Sequence, residues 1–311
     1  MKQIISLVTF LILCFSLPLS SFAEEKVGQL QIHFCSLTPG VKESVDGDCA
    51  LIIFPNGETM LVDCGMLYCV DRITQWLHGL GVTGHIDYFV CSHHHQDHIG
   101  AFAGLTEHFT FGRVMGANWS PEIGNAMQAP SYFKKLTELN MTEERLRAGD
   151  TLDIGDVHID VLWPMPDSDL SVDEQMMDPD FAGKQNDYAL VFRLVYGEFS
   201  ALFTGDVEYT SQTELANLYG MDGLESTLLK SPHHGNQMGE DFMDCVYPYV
   251  TFVTNDYEPW KQISKILDIY SMHSYFYSIN EGLSVWTDGT LVSFQAEEGD
   301  TKLYTYDLTE E

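Results

Sequence analysis

Residues 91–100 read CSHHHQDHIG, so four of the chain's 12 histidines and one aspartate fall within six positions. Side chains of these types at this density are poor packing material and good ligands for a borderline-soft divalent cation such as zinc. Taken as ligands alternating with spacers, they are His93, His95, Asp97 and His98. In extended chain His93 and His95 point to the same side. Asp97 and His98 then turn towards a second site, so the pattern asks for two metal ions side by side. Such a centre needs a bridging ligand, and Asp206, which follows the buried-strand pattern of ALFTGD, is the natural candidate. A further imidazole at another strand end would complete the pocket, and SPHHG offers His233 and His234.

These residues need elements to hold them. QLQIHFCSL and ALIIFPNGETMLVDCG are rich in β-branched and apolar residues, and PNGE within the second is a hairpin signal. CVDRITQWLHGLGV has helical spacing at Val70, Ile73, Trp76, Leu77 and Leu80 before its glycines stop it. IDYFVCS is a short buried strand that ends at the histidine cluster. Next come a short helix in AFAGLTEHF, a strand in FGRVMGANW, a helix in SYFKKLTELN and strands in DTLDIGDVHIDVLWP. The polar stretch from Pro166 to Gln185 reads as a surface loop. YALVFRLVYGEFSALFTGD is a strand pair turning at Tyr196-Gly197, followed by a helix in SQTELANLYG and a strand in STLLKSP. A strand in YVTFVTN, a helix in KQISKILDIYS and a hairpin in LSVWTDGTLVSFQ complete the series. Strand groups alternating with helices suggest an α/β protein with two sheets face to face and helices outside, a four-layer αββα sandwich.

The H-x-H-x-D-H spacing, followed in order by T-G-D and P-H-H-G, resembles the metallo-β-lactamase superfamily. Within it, the chain is most similar to the group related to the hydrolase domain of the DNA-uptake protein ComEC and to secreted phosphorylcholine esterases. The likeness runs from about Gln29 to Gln295. It implies that His93 and His95 hold one metal and Asp97 and His98 the other, that Asp206 bridges them, and that His233 or His234 caps the site, with His233 favoured. It also implies that Asp63, in LVDCG, supports the ligand loop from behind. Two departures stand out. Many members carry another histidine before T-G-D, where this chain reads KQNDYALVF; Asn186 occupies that place, as in the ComEC-like group, and is taken as a supporting residue. His108 and His158 also lie in the interval, but each fits a helix or strand pattern. Later, where ComEC-like sequences read N-x-Y-G-H-P, this chain has NDYEPW, which leaves Glu258 near the missing histidine as a ligand or a base. The second metal would then bind weakly or be a harder ion, manganese rather than zinc.

The chemistry implied is hydrolysis. Metal binding lowers the pKa of water to about 7, so a hydroxide held between two metals is available at neutral pH. Asp97 can accept a hydrogen bond from it, and no serine or cysteine nucleophile is needed. The resemblance favours phosphodiester bonds. Lactone, carboxylic-ester or β-lactam hydrolysis is the alternative, as is a non-catalytic metal-binding protein on the same fold. A flavo-diiron oxidoreductase would have glutamate where His95 stands and a flavin module besides.

Fifteen basic against 46 acidic residues give a formal charge of −31, which disfavours polyanions and anionic membrane surfaces. The nearest candidates for a nucleic-acid groove are only Lys134, Lys135, Arg145, Arg147 and Lys230, too few for long DNA. Tyr247, Tyr249, Tyr257 and Trp260, with Glu258 among them, suit a cationic head group or serve as ordinary packing. The substrate expected is a small or cell-surface phosphodiester, and no motif points to a protein partner.

Lys2, the apolar run IISLVTFLILCF and the small-residue exit SSFA read as a secretory signal peptide over residues 1–23, leaving one hydrolase domain over 24–311 with no membrane span. Six cysteines follow it, which allow fifteen complete pairings. Cys64 and Cys69 are close enough to pair across a turn, and Cys91 reads as a buried free thiol. We expect N-terminal sequencing of exported protein to begin at Glu24; a start at Met1, or at a lipidated Cys14, would reject the signal reading.

Overall fold

The computed structural model describes residues 28–37, 47–117, 129–166, 185–255 and 261–310. The proposed signal peptide, most of the polar stretch after Pro166, and Tyr257, Glu258 and Trp260 lie outside the described residues.

Two mixed sheets carry the chain, with strands numbered in chain order. The first contains β1 (Leu30–Phe34), β2 (Ala50–Ile53), β3 (Thr59–Val62), β4 (His85–Cys91), β5 (Thr110–Gly116), β6 (Glu143–Arg145), β14 (Leu283–Thr287), β15 (Leu291–Ala296) and β16 (Tyr304–Asp307). Its spatial order is β16-β15-β14-β1-β2-β3-β4-β5-β6. The second contains β7 (Thr151–Ile154), β8 (Val157–Trp163), β9 (Val191–Tyr196), β10 (Phe199–Phe203), β11 (Leu228–Lys230), β12 (Val250–Val253) and β13 (His273–Phe276), in the order β13-β12-β11-β10-β9-β8-β7. Each sheet has a parallel run, β3 to β6 in one and β10 to β13 in the other. Parallel neighbours require crossovers. Helices α1 (Val70–Gly79), α2 (Gln96–Ile99), α3 (Phe102–Leu105) and α4 (Ala129–Glu138) lie between strands of the first run. Helices α5 (Tyr209–Leu224), α6 (Glu240–Val246) and α7 (Lys261–Tyr270) supply those of the second.

Period-2 alternation sorts the apolar residues into layers. In the second sheet Ala201, Phe203, Leu228, Val250 and Phe252 join the core between the sheets. Their strand neighbours Leu202, Leu229 and Val253 pack on the outer side with Leu215, Phe242 and Leu267 of α5, α6 and α7. Ile73, Leu77, Phe102, Leu105, Tyr132 and Leu136 of α1, α3 and α4 belong to the larger core on the first sheet. The architecture is the αββα sandwich that the strand and helix pattern suggests. Phe34 of the first sheet sits with its ring centroid 4.6 Å from that of Phe252 and 6.1 Å from that of Phe203, which locks the sheets together.

The hairpin at PNGE forms, with Gly57 at φ 89°, and so does the turn at Tyr196-Gly197. Sequence periodicity misses β6, β13, β16, α2 and α6, all seven residues or shorter. The proposed Cys64–Cys69 bridge is absent. Both are free, buried thiols, Cys64 before and Cys69 at the end of the 3-10 turn Leu67–Cys69, and burial raises each thiol pKa, that of Cys69 to about 11, so they stay protonated at neutral pH. Cys91 is likewise free and buried. Among the described residues no helix is long and apolar enough to cross a membrane.

Candidate metal centre

The parallel strands of both sheets end at one edge, and the polar residues follow those ends. Asp63 follows β3, the histidine motif follows β4, Asp206 follows β10 and His234 follows β11. This is the usual place for a site in sheets of this kind. His93 is fully buried where β4 ends, and α2 begins at Gln96, bringing Asp97 and His98 back towards the strand ends.

Four ligand atoms converge. His98 Nε2 lies 3.5 Å from Asp97 Oδ2 and 3.2 Å from Asp206 Oδ2. His234 Nε2 lies 3.2 Å from Asp97 Oδ2 and 3.1 Å from Asp206 Oδ2. On the other side of Asp206, His93 Nε2 is 3.8 Å from the same Oδ2 and 2.9 Å from His95 Nδ1. Asp206 Oδ2 is therefore common to both groups. The geometry brings His93, His95, Asp97, His98, Asp206 and His234 together.

His234, rather than the favoured His233, enters the cluster. Pro232 starts a tight turn in which both histidines adopt left-handed backbone, φ 45° and 52°, and their rings diverge with an interplanar angle of 65°. His233 instead lies 3.4 Å from Asn186 Nδ2 and 3.4 Å from Glu208 Oε1, and Asn186 Nδ2 donates to Glu208 at 3.0 Å. His158 hydrogen-bonds Asp153 and Asp160, and His108 is exposed. His94 Nε2 meets Glu143 at 3.0 Å, where Tyr132 also donates at 2.6 Å, pinning this spacer to α4 and β6.

A further set of groups fixes the imidazoles from behind. Asp63, at φ 55°, accepts from Ser92 N and Ser92 Oγ and takes His98 Nδ1 at 2.9 Å. His234 Nδ1 lies 2.9 Å from Thr254 Oγ1 and 3.3 Å from Asp48 Oδ1. With both Nδ1 atoms engaged, the Nε2 atoms are left for the cluster, the arrangement that orients metal-binding histidines. Asp48 also reaches Lys230, whose buried Nζ donates to Gly205 O at 2.8 Å and lies 3.6 Å from Asp206 Oδ1. Gly47 permits this approach, because a Cβ there would sit 2.7 Å from Asp97 O.

The electrostatics follow from burying these charges together. Burial alone would depress His98 and His234, yet Asp206, with Asp97 beside His98 and Asp48 beside His234, holds both well above the usual imidazole range. Burial would raise Asp206, and the two imidazoles hold it well below the usual carboxylate range. Burial, with His98 and His95 adding to it, pushes His93 well down, so its imidazole is neutral at neutral pH. Burial raises Asp63 despite its His98 contact. Asp97 is held low by His98 and His234 against its burial, and it is ionised at neutral pH.

The donor set fits a divalent cation. His98 Nε2 is buried and makes no hydrogen bond, although it faces two carboxylates. Two imidazole nitrogens and two carboxylate oxygens in so small a volume are what such an ion takes as ligands.

Residues 45–241 match the model of the Metallo-beta-lactamase superfamily. The chain belongs to the metallo-β-lactamase superfamily. It is similar to ComE operon protein 3 of Bacillus subtilis (strain 168), with 28% identity over 198 residues, 61% of this chain and 23% of that protein. It thus spans less than a quarter of that relative's length. Among solved structures it is similar to the metallo-beta-lactamase fold protein YhfI from Bacillus subtilis, at 13% identity and TM-score 0.49, covering 90% of this chain and 100% of the other. It is also similar to CmlA, a diiron beta-hydroxylase from Streptomyces venezuelae, at 15% identity and TM-score 0.43, covering 76% and 53%.

Sequence reasoning missed Asp48 and saw Lys230 only as one of the few basic residues near enough to a nucleic-acid groove to be weighed. The signals were there. A lysine inside the apolar strand STLLKSP, just before the histidine turn, has to find a buried partner. The aspartate of GDCALII opens another buried strand.

The geometry separates the two histidines of this superfamily member experimentally. His234→Ala should lose bound metal from the purified protein, whereas His233→Ala should retain most of it, measured by elemental analysis after dialysis. Equal loss from both variants would contradict the assignment of His234.

Proposed function

We propose that the chain is an exported metal-dependent hydrolase holding two divalent cations, zinc first and manganese as the alternative, and that it cleaves phosphodiester bonds. The observation that carries the reading is that His98 Nε2 and His234 Nε2 each lie within 3.5 Å of both Asp97 Oδ2 and Asp206 Oδ2. His93 and His95 would hold one cation and Asp97, His98 and His234 the other, with Asp206 Oδ2 shared. Bound cations would supply Lewis acidity, polarising the substrate and making water more acidic.

The chain's own residues take the remaining roles. Asp97 is the most solvent-accessible of the converging carboxylates, with 18% of its side chain exposed against 2% for Asp206. Ionised and open to solvent, it orients the attacking water by accepting a hydrogen bond from it. Asp63, Asp48 and Thr254 hold the imidazole tautomers, and Asn186 supports the pocket beside His233 and Glu208. Glu258, outside the described residues, remains the candidate for a last ligand or base.

Charge supports a small substrate over long DNA. Of the basic residues counted for a groove, Lys134 and Lys135 pair with Glu138. Arg147 is buried and donates to the Ala117 and Leu146 carbonyls, and Lys230 is buried beneath Asp206. Tyr247 and Tyr249 precede β12, at the end of the sheet away from the site, so they do not line it. Tyr249 packs near Tyr306 instead.

Metal-loaded protein should hydrolyse bis(p-nitrophenyl) phosphate faster than phosphomonoester, lactone or β-lactam substrates, and exhaustive chelation should abolish the activity. Plasmid DNA should be a poor substrate at physiological salt. Efficient plasmid degradation with no turnover of small diesters would overturn the substrate assignment, and activity that survives chelation would overturn the metal assignment.

A further inference from the structure

We propose that Asp48 and Lys230 form a positioning pair that reserves Asp206 Oδ1 for the lysine ammonium and so leaves Oδ2 as the one oxygen of that carboxylate offered to metal. The inference rests on the two-cation reading above and assigns residues that reading does not require.

The two oxygens of Asp206 face different partners. Oδ2 meets His93, His98 and His234 at 3.8, 3.2 and 3.1 Å. Oδ1 meets Lys230 Nζ at 3.6 Å and has no hydrogen bond of its own. Lys230 is held in place twice, by Asp48 Oδ2 and by the Gly205 carbonyl at 2.8 Å. The other oxygen of Asp48 lies 3.3 Å from His234 Nδ1. Asp48, Lys230, Asp206 and His234 therefore close a ring of charged contacts, buried throughout.

A free carboxylate can turn both oxygens onto one cation. An ammonium fixed beside Oδ1 opposes that rotation, because a cation drawn to Oδ1 would be repelled by Lys230. A carboxylate can also serve two cations by giving one oxygen to each, but with Oδ1 facing an ammonium that mode is closed too, and both metal groups must share Oδ2. A buried lysine this close to a metal ligand would otherwise only weaken cation binding. Its placement makes sense if it directs rather than competes. Without Lys230, Asp206 is free to give both oxygens to the His98–His234 side, and the His93–His95 side loses its carboxylate.

The test is zinc stoichiometry of the full chain. Lys230→Met alone takes the ammonium from the buried Asp48 Oδ2, so the informative variant is Asp48→Asn/Lys230→Met, which removes both charges. Zinc per chain is measured by elemental analysis and by titration of stripped protein, alongside the thermal midpoint in chelator. We expect wild type to take two zinc ions. The double variant should keep a midpoint in chelator close to wild type while its second zinc binds at least about tenfold more weakly, the scale on which supporting contacts act. If it does not fold, Asp48→Asn/Lys230→Gln keeps hydrogen-bonding side chains, removes only the charges and is read the same way. A folded double variant that binds two zinc ions with wild-type affinity overturns the pair's positioning role and leaves the metal centre standing. Wild type that takes up no zinc overturns the metal centre, and the pair with it.

Discussion

The structure turns on the burial of carboxylates. Asp48, Asp63 and Asp206 are buried at one edge of the sandwich, with Asp97 beside them partly open to solvent. A buried charge without compensation is among the most costly features a fold can carry. Here compensation is local and specific: His98 answers Asp63 and Asp206, His234 answers Asp48 and Asp206, and Lys230 answers Asp48. The parallel halves of the two sheets make this possible, since all their strand ends open on the same edge. Left-handed backbone at Asp63, His233 and His234 turns side chains inward there. Non-glycine residues held in that region carry strain of order 1–3 kcal/mol each and are found where a site demands them.

How much of this was legible in the residues depends on whether the information was local. The ligand run from His93 to His98 could be read directly, because spacing within one short segment fixes which side chains share a side. Asp206 could be read from its place after an apolar strand. His233 and His234 could not be told apart, since the choice lies in the φ angles of a turn and in which ring finds Asp206 across the sandwich. Asp48 lies far from the motif in sequence and meets it only through the chain crossing at Gly47. Lys230 shows how net charge misleads: counted as one of few basic residues on an acidic chain, it looked like a surface residue, yet it sits between two buried aspartates.

The fold was legible to the same degree. Alternating strands and helices suggested two sheets with helices outside, and Leu228 and Leu229 show the alternation at work, one packing between the sheets and the other against helices. Short edge strands such as β6 and β16 were not legible, because three or four residues carry too little periodicity. The hydrolase reading therefore has two independent supports: a ligand pattern visible in the sequence, and a convergence visible only in three dimensions. The acidic surface and the internal pairing of the basic residues then bear on substrate, against long polyanions.

Anomalous diffraction shows whether the cluster around Asp206 is a metal centre. Crystals grown with zinc, measured above and below the zinc edge, should show anomalous density bounded by the Nε2 atoms of His98 and His234 and by Asp97 and Asp206. A second peak should lie beside His93 and His95. Density confined to other sites, such as the buried Cys91, His94 and Glu143, whose ligand atoms also lie close together, or fully zinc-saturated crystals with no peak at Asp206, would show that the cluster is not a metal centre.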